Sequence, residues 1–199
     1  MKRLVLASGN PGKLRELSVI LAELGYELHA QSEFDVPEVA ETGTTFVENA
    51  IIKARHAAEL TGMPALADDS GIEVDALDGA PGVYSARFAG ADADDAANNA
   101  LLVEKLRQLP AVERGARYRA VIVLMRHAAD PSPLICEGSW QGIIQLDPAG
   151  DGGFGYDPHF FLPELGCTSA QLSAADKNRL SHRGKALAAL KQKLEHQGV

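Results

Sequence analysis

The sequence predicts an α/β, α+β-like chain built on a mixed parallel and antiparallel sheet with flanking helices. Three observations predict it. An apolar run at Arg3–Ala7 passes through a Gly/Asn/Pro loop into leucines at 14, 17, 21 and 24, and Tyr26–Ala30 then reads as a second strand, giving β-α-β order. Two longer strand candidates, Tyr118–Arg126 and Leu134–Leu146, flank Asp130-Pro131-Ser132-Pro133 as an antiparallel pair. No repeat, low-complexity linker or strong boundary interrupts the chain, so one domain over residues 1–199 is expected.

Each element has a local reason. Arg3–Ala7 is apolar enough for a buried strand, and the first helix, opening near Lys13, stops at Gly25. Residues 31–43 hold Pro37 with Glu33, Asp35, Glu38 and Glu41, the composition of a surface loop. Thr45-Phe46-Val47-Glu48 is a capping-box pattern that opens an alanine-rich helix, closed by Gly62 and Pro64. Ala65–Ala67 and Ile72–Val74 read as two short strands separated by Asp68-Asp69-Ser70-Gly71. Gly79, Pro81, Gly82 and Gly90 punctuate a loop around Tyr84, Arg87 and Phe88, and a helix over Asp92–Leu109 ends at Pro110. A glycine-rich loop covers 148–158. Ser173-Ala174-Ala175-Asp176 then resembles a second capping box, opening one helix that runs to about His196.

Bulk composition narrows the function. With 46% hydrophobic and 23% charged residues the chain has the make-up of an ordinary globular protein. A net charge of −8 and an isoelectric point near 5.2 exclude the broad basic face that non-specific nucleic-acid binding needs. No apolar run approaches the roughly 20 residues of a membrane span, and Met1–Ala7 is too short an apolar run for a signal peptide. Cys136 and Cys167 form neither a metal spacing nor a disulfide framework, so a reduced, cytoplasmic chain is expected. Cys136 and Trp140 read as core residues.

Four segments could carry chemistry. In Ser8-Gly9-Asn10-Pro11-Gly12-Lys13 the glycines let backbone approach an anion, free helix-start N–H groups add partial positive charge, and Lys13 adds a full one. The pattern is not a Walker A, since the glycines are too close and Leu14 follows the lysine. Such a turn also serves purely structural ends. Asp68 and Asp69, adjacent in a strand, should point to opposite faces; one carboxylate can bind metal or orient water while the other caps a turn or pairs with a cation outside. The same segment is equally a plain turn between two strands. In Gly152–Pro158, glycines interleave with Phe154 and Tyr156, which suits a loop that exposes ring faces for a base or sends its rings into the core. Lys177, Arg179, His182, Arg183 and Lys185 concentrate cations near one helix of an acidic protein, as phosphate recognition would require, although such a run is commonly a solvated face.

Together the segments resemble the inosine triphosphate pyrophosphatase family, the dITP/XTP pyrophosphatases. The resemblance rests on Ser8–Lys13, Glu41-Thr42-Gly43, Phe46-Val47-Glu48-Asn49 with Lys53, and Ala67–Gly71. It continues through Gly79–Gly82, Tyr84–Arg87, Gly153–Asp157, and Lys177 with Ser181-His182-Arg183, in the family's order and over nearly the whole chain. It implies two lobes around a nucleotide-binding cleft, a homodimer, Mg²⁺ dependence, and hydrolysis of a purine nucleoside triphosphate to monophosphate and pyrophosphate. It puts the triphosphate on Ser8, Gly9, Asn10, Pro11, Gly12, Lys13 and Lys53, metal on Glu41 and Asp69, and water activation on Asp69. The base would lie against Phe154 in the loop Phe154-Gly155-Tyr156-Asp157, with Lys177, His182 and Arg183 around it and Ser70 and Arg87 among the substrate residues. Ala40 stands where many bacterial members carry a second glutamate. A Maf-like pyrophosphatase is disfavoured by the missing Ser-x-Ser-Pro-Arg-Arg loop, and a non-cleaving nucleotide sensor by the retained Glu41, Lys53 and Asp69.

Overall fold

The computed structural model describes residues 2–196. Its strands are β1 (Lys2–Leu6), β2 (Tyr26–Ala30), β3 (Ala65–Val74), β4 (Gly115–Met125), β5 (Leu134–Ile144), β6 (Phe160–Leu162) and β7 (Cys167–Thr168). The helices are α1 (Pro11–Glu23), α2 (Phe46–Thr61), α3 (Asp95–Leu106), α4 (Ala174–Leu180) and α5 (His182–His196). Strand order is β2-β1-β3-β4-β5-β6-β7. β1 runs parallel to both β2 (Val5 opposite His29) and β3 (Leu6 opposite Leu66), whereas β6 is antiparallel to β5 and to β7. β4 and β5 are joined only by residues 126–133, too few for a parallel crossover, and Ile144 N–H donates to Arg114 O at 2.9 Å, as an antiparallel pair requires. The fold is the mixed α/β class expected.

Contacts divide the chain into two compact units. The first holds the described residues up to Asp69, Ala120–Glu137, and those from Lys185 onward. Its core sets Leu17 and Leu21 of α1 and Leu187, Leu190 and Leu194 of α5 with Leu4, Leu6, Leu66 and Ile122 of the strands. The leucine spacing of α1 therefore does what its period predicts: it buries one face. The second unit, Ser70–Arg119 with Gly138–Gly184, packs Leu102 and Leu106 of α3 with Ile72, Val74, Tyr118, Trp140, Ile144 and Phe160. Each fully buried large apolar side chain contributes ~1.5–3 kcal/mol, and cutting one such as Leu66 to alanine costs about 2–5 kcal/mol. Cys136 and Trp140 are core residues, as expected. Among the described residues, no helix is long and apolar enough to cross a membrane.

The structure departs from the sequence reading at several places. β3 is continuous from Ala65 to Val74, with no turn at Asp68–Gly71. The two acids stay in the strand because lysines from α1 and α2 reach their side chains, satisfying charges that would otherwise force a break. The single C-terminal helix is two. Ser181 N–H donates to Lys177 O at 2.9 Å to end α4, and Ser181 Oγ accepts from Gly184 N at 3.1 Å to open α5. α1 begins at Pro11 rather than Lys13, and α3 is shorter than Asp92–Leu109 because Asp94 caps it, accepting from Ala97 N at 2.8 Å. Short 3₁₀ turns at Gln31–Phe34 and Gly82–Arg87 occupy parts of the expected loops, and β6 and β7 had no strong pattern.

Candidate functional site

A charged cluster forms in the first unit around one backbone carbonyl. α2 is opened by the predicted capping box, with Thr45 Oγ1 accepting from Glu48 N and the Glu48 carboxylate accepting from Thr45 N at 2.9 Å. This helix presents Lys53, whose Nζ lies 2.6 Å from Asp69 Oδ1, 2.9 Å from Glu41 Oε1 and 3.1 Å from Asp68 O. Glu41 is placed by its neighbour Gly43, whose N–H donates to the buried Asn49 Oδ1 at 2.9 Å. From α1, Lys13 Nζ reaches Asp68 Oδ2 at 2.7 Å and the same Asp68 carbonyl at 3.2 Å. Two lysines thus share one carbonyl, and three carboxylates answer them. Burial raises the Asp69 pKa, with Lys53 pulling against that shift. Burial also works against the charge on Lys53, but Asp69 and Glu41 outweigh it and its pKa is raised.

Two expectations change here. The first turn of α1 offers no free N–H to an anion: Pro11 has none, Gly12 and Lys13 donate to Asn10 Oδ1 at 2.8 and 3.2 Å, and Leu14 donates to Asn10 O. Positive charge at this loop comes from the Lys13 ammonium and the helix dipole. Nor does Asp68 pair with a cation outside; its carboxylate is fully buried and its partner Lys13 belongs to the cluster. The resemblance's magnesium fits the donors present. Glu41 and Asp69 already bring oxygens within 3 Å of a single cationic atom (2.9 and 2.6 Å), and hard oxygen donors are what Mg²⁺ takes. Among the described residues no set of three or more His, Cys, Asp or Glu forms a cage. Substrate oxygens and water would have to complete the shell.

A second cluster lies in the second unit. Phe154, 43% exposed, has the Lys177 ammonium 4.9 Å and the Arg183 guanidinium 5.7 Å from its ring centre. Asp157 is buried and organises the loop. Its Oδ2 accepts from Phe154 N at 2.9 Å and binds Lys177, while its Oδ1 accepts from Ser169 Oγ at 2.7 Å. Gly153, at φ +78°, must be glycine, since a Cβ there would collide with the Asp157 carboxylate. Tyr156 is buried and its hydroxyl donates to Ser85 O at 2.7 Å. His182 is buried too, stacked 4.7 Å from Tyr118 at 8° between planes. Burial, then the Asp157 carboxylate, pushes the Tyr118 phenol well up, so it stays protonated. Arg183 Nη2 donates to Ser70 Oγ at 3.3 Å.

The structure therefore groups Lys13, Glu41, Lys53 and Asp69 in one cluster, and Ser70, Phe154, Gly155, Tyr156, Asp157, Lys177, His182 and Arg183 in another. In the opening loop, Ser8 Oγ accepts from Asn10 N at 3.1 Å, beside Gly9, Pro11 and Gly12. Arg87 stacks over Tyr84, 5.2 Å from its ring centre. The cationic run near the C-terminus is not one face: Lys177, His182 and Arg183 turn inward, whereas Arg179 pairs with Asp176 at the surface. Sequence reasoning left out Asp68, Tyr118 and Ser169, as well as Asp95 and Asn99, which hydrogen-bond Gly155 of the aromatic loop. Asp68 carried a signal, since it neighbours Asp69; the others are joined to the loop only by folding.

The Ham1 family pattern matches residues 4–193 of the chain. A dITP/XTP pyrophosphatase of Vibrio cholerae serotype O1 is 56% identical over 197 residues, covering 99% of this chain and 98% of that protein. One from Xanthomonas campestris pv. campestris is 61% identical over 194 residues, 98% of each. A HAM1 protein from Coxiella burnetii superposes with a TM-score of 0.93 at 49% identity, covering 98% of this chain and 100% of that one. The Staphylococcus aureus Ham1 protein gives 0.89 at 41% identity, with the same coverage.

Proposed function

Because this chain belongs to the Ham1 family, we propose that it hydrolyses non-standard purine nucleoside triphosphates, dITP, ITP and XTP, to the monophosphate and pyrophosphate. The observation that carries the reading is the Lys53 ammonium held between Glu41 and Asp69, next to Lys13 on Asp68. An acidic protein that gathers two half-buried lysines and metal-competent carboxylates at one carbonyl is equipped for a polyphosphate.

In this proposal Lys13, Lys53 and the Ser8–Gly12 loop hold the triphosphate. The oxygen of a water molecule bonds to the α-phosphorus as its bond to the bridging oxygen breaks. Pyrophosphate leaves with that electron pair, and Asp69 takes the water's proton. Burial raises the pKa of the Asp69 carboxylate against the pull of Lys53, the direction that suits a group accepting a proton. Glu41 and Asp69 would hold Mg²⁺, which when bound offsets negative charge on the phosphate oxygens.

The purine is proposed to stack on Phe154. Lys177, His182 and Arg183 are donor-bearing groups that suit the 6-oxo acceptor of hypoxanthine or xanthine, where adenine would present a second donor. The loop N–H groups are poor candidates for that role, because Phe154 N already donates to Asp157 and Gly155 N to Asp95. Ser70 and Arg87 are proposed to assist binding, the chain acts as one catalytic domain within a homodimer, and the reaction clears deaminated purines from the nucleotide pool.

The test is ³¹P NMR of dITP with Mg²⁺, beside dGTP and dATP. dIMP and pyrophosphate from dITP, with little from the other two, is the expected result. Orthophosphate and dIDP would mean attack at the γ-phosphorus and overturn the reading, and tight binding without turnover would mark a sensor.

A further inference from the structure

Gly155, in the aromatic loop, is held by α3 through both of its backbone polar groups. Its N–H donates to Asp95 Oδ2 at 2.6 Å, and its carbonyl accepts from Asn99 Nδ2 at 2.8 Å. Asp95 and Asn99 stand four residues apart, one turn along the same helix face, so a single turn of helix supplies an acceptor to the Phe154–Gly155 peptide and a donor to the Gly155–Tyr156 peptide. Asn99 is held in one orientation, since its Nδ2 also donates to Asp95 O at 2.8 Å. Its Oδ1 is shut from solvent without a partner among the described residues, so its donors alone account for its polar contacts.

The preceding residue, Asn98, bonds the other substrate segment. Its Oδ1 accepts from Ala89 N at 2.8 Å and its Nδ2 donates to Ala86 O at 3.1 Å, on either side of Arg87 and Phe88. Tyr156 closes the arrangement through its bond to Ser85 O in that same segment. The loop bearing Phe154 and the turn bearing Arg87 are thus fastened to one helix and to each other.

We propose that Asp95 and Asn99 are positioning residues for base recognition: they hold the two peptides that flank Gly155 so that the adjoining Phe154 ring offers a fixed stacking surface to the purine. This rests on the pyrophosphatase reading above. A loosened loop still lets the phosphates reach Lys13 and Lys53, so the loss falls on base binding and base choice and spares the chemical step.

The experiment compares Asp95→Ala, Asp95→Asn and Asn99→Ala with the wild-type chain in steady-state kinetics on dITP and dGTP. Amide hydrogen exchange of residues 152–157 is followed in the free proteins. Asp95→Ala and Asn99→Ala are expected to raise KM for dITP about tenfold with kcat within about twofold, to narrow the preference for dITP over dGTP, and to speed exchange only in that loop. Asp95→Asn keeps an acceptor oxygen and should restore wild-type behaviour. Unchanged exchange in the loop, an unchanged KM, or an Asp95→Asn variant as damaged as Asp95→Ala would each overturn the proposal. Failure of the wild-type chain to release pyrophosphate from dITP would sink the functional reading separately, and loop exchange would still decide the fastening.

Discussion

Lys53 Nζ lies 2.6 Å from Asp69 Oδ1, with only 14% and 10% of the two side chains exposed. At that depth the charges are weakly screened, and each partner depends on the other to stay ionised.

Removing the lysine leaves Glu41 and Asp69 without the cation they share. Lys53→Met is expected to lower kcat by roughly 10² or more, and Asp69→Asn by about 10²–10⁴, through loss of the base. EDTA should stop the wild-type reaction and added Mg²⁺ restore it. Pyrophosphate release, timed on purified variants with unchanged circular dichroism, checks all three; a Lys53→Met enzyme with the wild-type kcat would remove the lysine from the mechanism.

Phe154 is nearly half exposed in a loop that hydrogen bonds otherwise fasten closely. If a base stacks there, Phe154→Ala forfeits ~1–3 kcal/mol and raises KM for dITP about 5- to 150-fold, while Phe154→Tyr retains most of the affinity. Equal KM values for wild type and alanine variant would place the base elsewhere.

Asp130 shows how a charge can specify a turn. Its side chain is fully buried and accepts from Arg126 Nε at 2.9 Å, Nη2 at 2.5 Å and the N–H groups of Arg126 and Ser132 at 3.0 Å. The Arg126 side-chain bonds first, aided by the backbone donors, hold its pKa well below the ordinary carboxylate value. A lowered folded-state pKa contributes stability that is present above the unfolded value, near 3.9, and is lost as pH falls toward the folded one. Arg126 is largely exposed, so the pair itself is screened and the backbone bonds carry much of the effect. Asp130→Asn should cost about 1–2 kcal/mol at pH 7. The deficit should shrink below about pH 4, as urea unfolding at several pH values would read; a deficit independent of pH would contradict the assignment.

Gly184 sits where the start of α5 meets the end of α4, and a Cβ there would overlap the Asn178 carbonyl oxygen. Gly184→Ala should therefore cost roughly 1–3 kcal/mol and lower Tm, with a rise in KM because His182 and Arg183 precede it directly. A variant as stable as the wild type would show that the two helices can part freely.

Much of this was legible beforehand, for a reason visible in particular residues. Thr45 and Glu48 meet each other across one helical turn, so the start of α2 is written in four consecutive letters. The leucines of α1 likewise declare its buried face. Asp68 and Asp69 misled because a pair of acids followed by Ser-Gly looks like a turn until Lys13 and Lys53 arrive from distant parts of the chain. The C-terminal helix misled because Ser181, within a strongly helical run, works as a cap only where α4 and α5 bend past each other.

The chain order of its motifs, by itself, determined the family, the mixed α/β class and the list of polar residues to watch, since those depend on local periodicity and residue type. Only the tertiary structure decided that two lysines share the Asp68 carbonyl, that Asn10 consumes the first donors of α1, and that α3 holds Gly155 by both its N–H and its carbonyl. Those arrangements join residues up to 60 positions apart, and a hydrogen bond is set by distances in space that no spacing along the chain encodes.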